Sequence, residues 1–233
     1  MSTLSLVKDE PRPRDSTSGG AAFGVRHLMR LQLRRDRWWW SIWALVLVMF
    51  PLATVGAYDS LYPTAADRAG ATADVAGNPS LLAIYGPAYD LSTPGGFTSW
   101  RVLGFTATVA AIVGMLAVVR HTRAEEESGR LELLRSGVLG RHASLVAALL
   151  TALAWGALAG VLTALGMLGQ GEPATGSVLT GAATTLTVMV FAGVGAVAAQ
   201  LTESSRAARG IGGAVVGAAY LVRAIGDSSP SVS

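Results

Sequence analysis

Long apolar stretches separated by short polar segments dominate this chain. A helix needs about 20 apolar residues to cross the roughly 30 Å hydrocarbon layer of a bilayer. Four stretches approach this length, and a fifth is weaker because it contains Arg223, which would have to reach toward an interface or face protein or water. The predicted spans are 38–58, 102–119, 144–168, 177–201 and 210–226. The pattern therefore predicts an all-α integral membrane protein, a helical bundle of about five transmembrane helices.

The composition agrees with a membrane protein. Of 233 residues, 51% are hydrophobic and 14% are charged, whereas about a quarter of the residues in a soluble domain are charged. The chain has no cysteine, which excludes disulfide frameworks, thiolate nucleophiles and cysteine-ligated metals. The formal net charge of +3 indicates no particular partner, and we expect no nucleic-acid partner.

The distribution of basic residues predicts how the chain is oriented. Residues 1–37 carry eight Lys or Arg, residues 120–142 carry five, and residues 202–209 carry two, which is fifteen of the eighteen in the chain. Basic loops stay on the cytoplasmic side of a membrane. We therefore predict a multi-pass protein of the cell (plasma) membrane with a cytoplasmic N-terminus, a long external loop at 59–98 and a cytosolic loop at 120–142.

The region before the first span divides into two parts. Residues 1–22 are rich in Pro, Ser, Gly and charge and are predicted to form a disordered cytosolic tail. Residues 227–233 are predicted to be a short tail after the last span. Residues 23–37 show apolar positions at helical spacing beside a basic stripe, which predicts an amphipathic interfacial helix that contacts membrane lipid. The residues predicted at the lipid interface are Arg26, Arg30, Arg34, Arg37, Trp38, Trp39 and Trp40.

Signals for intrinsic chemistry are missing from the sequence. None of the five predicted spans contains an acidic residue or a histidine, although proton-coupled carriers and ion pumps usually place such groups inside the membrane. The glycine-rich segment 210–213 lacks the Lys-Ser/Thr end of a phosphate-binding loop. We therefore predict no catalytic, cofactor-binding or metal-binding residues, and a transport or membrane-anchoring protein rather than an enzyme.

Small and hydroxylated residues within the spans predict close helix packing. Three pairs have the small-xxx-small spacing that lets helix backbones approach: Gly156 with Gly160, Gly195 with Ala199, and Gly213 with Gly217. The threonines of the fourth span are expected to hydrogen-bond to their own helix. They are Thr180, Thr184, Thr185 and Thr187.

The cytosolic loop 120–142 is charged and has a helical pattern. Glu126 stands four residues before Arg130, a spacing that stabilises a helix by a few tenths of a kcal/mol. Leu131, Leu134 and Val138 would form one apolar edge of that helix. An ordinary charged loop is the alternative interpretation.

The segment EEESGRLELLRSGVLGR resembles the first cytoplasmic loop of type-2 ABC exporter permeases. The pattern of that loop is roughly Glu-x-Gly-x-Leu-Glu-x-Leu, followed by a small residue or a proline turn and by a basic residue before the next span. The resemblance extends from about residue 23 to the end of the chain. The sequence around the motif is most similar to that of the actinobacterial subgroup described as exporters of polyketide antibiotics. It implies that the loop is a coupling helix that docks on a separate cytosolic ABC ATPase subunit. ATP would be bound by that subunit, and this chain would bind no cofactor directly. The implied coupling residues are Glu126, Glu127, Gly129, Arg130, Leu131, Glu132, Leu134 and Arg141.

The resemblance implies a function for the whole chain. It predicts a permease subunit, or a partial permease, of an ATP-driven exporter for hydrophobic or amphipathic compounds such as antibiotics. Half-domains of that family usually have six spans, so we expect that the rest of the permease comes from another polypeptide, that the chain is a fragment or a shortened gene product, or that it has a reduced role. A second permease half or another copy of the chain is the expected partner in the membrane. The alternative is a non-transporting membrane scaffold or regulatory subunit.

Overall fold

A computed structural model describes residues 24–76, 78–127 and 142–228 of the chain. The secondary structure of these residues is helical. The helices are α1 (Val25–Arg35), α2 (Arg37–Leu61), α3 (Ala65–Ala76), α4 (Pro79–Tyr85), α5 (Pro94–His121), α6 (Arg123–Glu127), α7 (Ala143–Gly169), α8 (Ala174–Leu201) and α9 (Ser205–Ser228).

Five of these helices, α2, α5, α7, α8 and α9, are long and apolar enough to cross a membrane. The prediction of an all-α bundle with about five spans is therefore confirmed. The five helices alternate in direction, so the bundle has two ends. We call the end that carries α1, α6 and the α8–α9 connection the basic end, and the end that carries α3, α4 and the α7–α8 connection the opposite end.

Some helices extend beyond the predicted spans. α5 begins at Pro94 instead of residue 102, because Thr93 forms an N-cap whose Oγ1 accepts a hydrogen bond from the Gly96 N–H at 3.1 Å. Proline at the first helical position also favours a helix start. α9 begins at Ser205, five residues before the predicted start of the weak fifth span.

Glycine lets the central helices pack closely. A Cβ added to Gly160 of α7 would lie against the carbonyl oxygen of Gly181 in α8. The pair Gly156 with Gly160 is therefore at a helix crossing, as predicted. Gly195 likewise lies against the backbone of Met115 in α5, and its predicted companion Ala199 is buried.

The prediction for Gly213 and Gly217 is wrong for the described residues. A Cβ at either position would meet nothing within 4 Å. It is the neighbouring Gly212 that packs, against the side chain of Met115. Spacing alone identified small residues on α9 but not the face that packs.

The four threonines of α8 for which the sequence predicts bonds within the helix behave as expected. Each hydroxyl donates to the carbonyl of the residue four positions earlier, at 2.8–3.1 Å. Polar groups of the span are thus satisfied within their own helix.

The predicted long loop at 59–98 contains two helices and a small core of its own. Asn78 caps α4, since its Oδ1 accepts hydrogen bonds from the N–H groups of Ser80 and Leu81. The hydroxyl of buried Tyr58 donates to the Leu91 carbonyl at 2.6 Å. This segment forms a folded cover on the opposite end of the bundle.

Candidate functional site

The amphipathic helix α1 is held against the bundle. Its apolar side, centred on buried Leu28, packs against Ala143 and Ala147 of α7. The Thr151 hydroxyl of α7 also donates to the side-chain oxygen of Gln32 at 2.9 Å. The apolar side of α1 therefore contacts protein, which leaves its basic side exposed.

Most of the residues predicted at the lipid interface lie on that exposed surface. Trp38 is 72% exposed, whereas Trp40 is 2% exposed and stacks on Trp155 of α7 with ring centroids 5.8 Å apart. The assignment of Trp40 to the lipid interface is wrong, because its ring belongs to the bundle core. Trp39 is partly buried, and the four arginines Arg26, Arg30, Arg34 and Arg37 are exposed. Their contact with lipid stays a prediction.

A buried carboxylate lies at the junction of α1 and α2. The side chain of Asp36 is 1% exposed, and its Oδ1 lies 2.5 Å from Nη2 of Arg120. Its Oδ2 lies 3.0 Å from Nε2 of His121, which is equally buried. The last residues of α5 are thereby joined to the start of α2 by ionic contacts.

Two further side chains extend this arrangement. Nη2 of Arg35 lies 2.5 Å from Oε1 of Glu125 in α6, and Nδ1 of His121 lies 3.6 Å from the same oxygen. We call Arg35, Asp36, Arg120, His121 and Glu125 the junction cluster. It links the end of α1, the start of α2, the end of α5 and the start of α6.

The charges around Asp36 keep its carboxyl ionised. Burial raises the pKa of this carboxyl, but the hydrogen bond and charge of His121 oppose that effect. The charges of Arg120 and Arg35 act in the same direction, and the pKa of Asp36 is lowered below its ordinary value. A buried charge of this kind needs its partners to remain in place.

Helix α6 makes two more contacts at the basic end. Nε and Nη2 of Arg123 donate to the carbonyl oxygen of Ala199, near the end of α8, at 3.0 and 2.7 Å. The carboxylate of Glu127 accepts from the N–H and from the hydroxyl of Ser205, each at 2.6 Å. A carboxylate at this position satisfies orphan donors at the start of α9.

The structure describes two of the predicted coupling residues. Glu126 pairs with Arg123, whose Nη1 lies 2.8 Å from its Oε2, and Glu127 caps α9. The other six lie outside the described residues. They are Gly129, Arg130, Leu131, Glu132, Leu134 and Arg141.

The junction cluster was not predicted from the sequence. A signal was available, because Asp36 precedes the first predicted span and Arg120 and His121 follow the second. Consecutive antiparallel spans bring these positions to the same end of a bundle. Opposite charges at the same depth beside an apolar layer favour pairing. Among the described residues, no group of three or more acidic or histidine side chains is placed to hold a metal ion.

Comparison with known proteins relates the chain to a curated membrane protein. No family model matches the chain. The chain is 42% identical over 229 residues to the multidrug efflux system permease protein Rv1217c of Mycobacterium tuberculosis, and the match covers 96% of this chain and 41% of that protein. The chain thus spans less than half the length of the curated relative that it matches. This similarity confirms the resemblance to an exporter permease.

Proposed function

We propose that this chain is a membrane-spanning permease subunit, or part of one, in an ATP-driven ABC exporter. Its cargo would be hydrophobic or amphipathic compounds such as antibiotics, and a separate cytosolic ATPase would drive it through the loop 120–142. Three observations support the proposal: the five membrane-length helices, the coupling-type pattern of the loop, and the name of the relative, an efflux permease.

The basic end of the bundle would face the cytosol. The described residues place nine arginines at this end and three, Arg68, Arg101 and Arg223, near the opposite end. This distribution favours an inside location for the basic end. The N-terminus and the loop 120–142 would then be cytoplasmic, where an ATPase subunit can reach them.

The contacts between α6 and the rest of the bundle are the main structural support for the proposal. α6 forms the start of the loop 120–142, and it contacts three other parts of the bundle. Glu125 pairs with Arg35 at the α1–α2 junction, Arg123 binds the end of α8, and Glu127 caps the start of α9. A force applied to this loop would therefore act on several spans at once.

The physical mechanism is a rigid-body displacement of helices. Closure of the ATPase would push the loop, and α6 would transmit the movement to the helix ends that it holds. The bundle would shift between inward-open and outward-open arrangements, which ATP binding by the partner biases. The relative contains sequence beyond the matched part, and we propose that this unit works beside a second permease half, either another polypeptide or another copy of the chain.

The test removes the contact between α6 and α9. The chain would be affinity-purified from membranes of its host, and the ATPase activity that accompanies it would be measured with and without a hydrophobic dye. Glu127→Gln weakens the cap on Ser205 and should reduce dye stimulation of the ATPase. The matched control is Glu203→Gln, because Glu203 is exposed at the same end and makes no hydrogen bond or ion pair with another described residue.

The outcomes separate the two interpretations of the chain. Loss of dye stimulation in Glu127→Gln, with wild-type behaviour in Glu203→Gln, supports a coupled permease. Co-purification of an ATPase whose activity changes neither with the dye nor with the Glu127→Gln substitution would favour the non-transporting scaffold. Purification without any ATPase would refute the proposal.

A further inference from the structure

Arg223, which weakens the fifth span in the sequence, faces protein at the opposite end of the bundle. Its Nη2 donates to the carbonyl oxygens of Ile84 at 2.7 Å and Ala83 at 3.4 Å, in the last turn of α4. Carbonyls at the end of a helix lack partners within that helix. Arg223 therefore attaches α9 to the cover formed by α4, and its Nη1 lies 3.6 Å from Asp227 one turn further on.

One donor of this guanidinium has no such partner. Nε of Arg223 is buried and makes no hydrogen bond with any described residue. Buried donors in folded proteins are nearly always paired. Asp227 approaches the guanidinium at Nη1, at 3.6 Å, which exceeds hydrogen-bond length. The side chain of Arg223 is nevertheless 32% exposed, so the rest of its guanidinium can be reached by an additional oxygen acceptor.

Arg223 lies in a groove between α5 and α9. Two cavities, of about 510 and 190 Å³, share Gly104, Ala107 and Arg223 in their linings. The larger cavity lies at the opposite end and is lined by aromatic and charged side chains, which include Tyr85, Tyr89, Trp100, Asp90 and Asp227. The smaller cavity continues along the bundle and is mainly apolar, with Ala111, Phe191, Val216 and Ala219 in its lining.

We propose that this groove binds an amphiphile with an anionic headgroup, either a carboxylate or a phosphate. The headgroup oxygen would bind the accessible part of the Arg223 guanidinium, and the apolar chain would lie along α5 and α9 in the smaller cavity. Charge-assisted hydrogen bonds of an arginine to an oxyanion are stronger than neutral ones. The carboxylate of Asp90 also lines the larger cavity, and its Oδ1 accepts hydrogen bonds from the N–H and the hydroxyl of Ser92.

Binding in the groove does not require that α6 couples to an ATPase. The two proposals therefore fail independently. The binding site also lies at the end of the bundle opposite to the ATPase contact, so variants in one region leave the other intact.

The experiment measures binding of tritiated hexadecanoate to the detergent-purified chain by scintillation proximity, with hexadecanol as the uncharged probe. Arg223→Gln keeps a donor for the α4 carbonyls but removes the charge, and it should weaken hexadecanoate binding about tenfold while leaving hexadecanol binding unchanged. Asp227→Asn removes a competing negative charge and should strengthen hexadecanoate binding. Equal hexadecanoate affinity in wild type and Arg223→Gln would overturn the proposal.

A second pair of variants tests the groove itself. Ala107→Phe fills the part that both cavities share and should abolish binding of both probes, whereas Ala182→Phe adds the same bulk to an exposed position of α8 outside the groove. Size-exclusion profiles and thermal melts establish that each variant is folded. Saturable binding that survives Ala107→Phe would place the site elsewhere and contradict the proposal.

A competition experiment identifies the source of the headgroup. Displacement of hexadecanoate by phosphatidylglycerol would support a membrane phospholipid as occupant, and persistence of bound hexadecanoate would support a free single-chain amphiphile. Absence of saturable hexadecanoate binding by the wild-type chain, with or without phosphatidylglycerol, would overturn the proposal.

Discussion

The substitution Asp36→Ala tests whether the junction cluster stabilises the basic end. Asp36 is 1% exposed and faces Arg120 and His121 at 2.5 and 3.0 Å. Removal of its carboxylate leaves Nε2 of buried His121 without an acceptor, which costs about 1–3 kcal/mol. The side chain of Arg120 is 38% exposed and can turn to water, so its loss adds roughly 0–1 kcal/mol. The expected destabilisation is about 1–4 kcal/mol.

A matched control is available at the opposite end. Asp59 forms an ion pair with Arg68 at 3.2 Å, but its side chain is 83% exposed. Exposed pairs contribute about 0–1 kcal/mol. Asp59→Ala should therefore change stability by less than about 1 kcal/mol, although it removes the same chemical group from an ion pair of similar type.

The assay is reversible unfolding by sodium dodecyl sulfate, followed through tryptophan fluorescence. Trp40 and Trp155 stack in the core and report the loss of packing between α2 and α7. The free energy of unfolding is compared among the wild-type chain, Asp36→Ala and Asp59→Ala. Equal free energies of unfolding for the two variants would refute the idea that the Asp36 contacts stabilise the protein more than the Asp59 contact because they are buried.

Two further predictions concern packing and protonation. Gly160→Ala should destabilise the bundle by more than about 1 kcal/mol, because the added methyl group would meet Gly181. The control Gly193→Ala adds a methyl group that meets nothing within 4 Å and should be neutral or slightly stabilising. The same denaturant titration compares the two variants, and equal effects would contradict the close approach of the helices at Gly160. Burial raises the pKa of the Glu172 carboxyl above 4.5 despite a hydrogen bond from the Gly95 backbone. The folded state therefore binds a proton more tightly than the unfolded chain, and stability falls as pH rises from below 4.5 through the folded pKa. Glu172→Gln should flatten that part of the pH–stability curve, and an unchanged slope would assign it to another group.

The spans were predictable because hydropathy and length dominate their energetics. Each predicted span lies inside a helix of the structure. The helix ends were less predictable, since capping depends on single residues and not on mean hydropathy. The first residues of α5 include glycines and Arg101, which lower the apolar signal, yet Thr93 and Pro94 together start the helix there.

Which face of a helix is buried could not be deduced from composition. Trp38 and Trp40 are chemically identical and two positions apart, but successive helical residues are separated by about 100°. The two rings therefore point to different sides, and the packing of α7 determines that Trp40 is buried. The partner of Asp36 was hidden for a related reason, because His121 lies 85 positions later and becomes its neighbour only through the antiparallel arrangement of α2 and α5.

Helix α9 has few apolar contacts with the bundle, so the polar contacts at its two ends have a large effect on its position. In the most apolar stretch of α9, 17% of residues are buried, compared with 56% in α5. Movement of α9 relative to the other spans therefore disrupts fewer apolar contacts than movement of α5. Its start is held to α6 by Glu127, and its far end is held to α4 by Arg223. A displacement of α6 thus acts on the most weakly packed span, and because α9 forms one wall of the amphiphile groove, the same movement changes the shape of that groove.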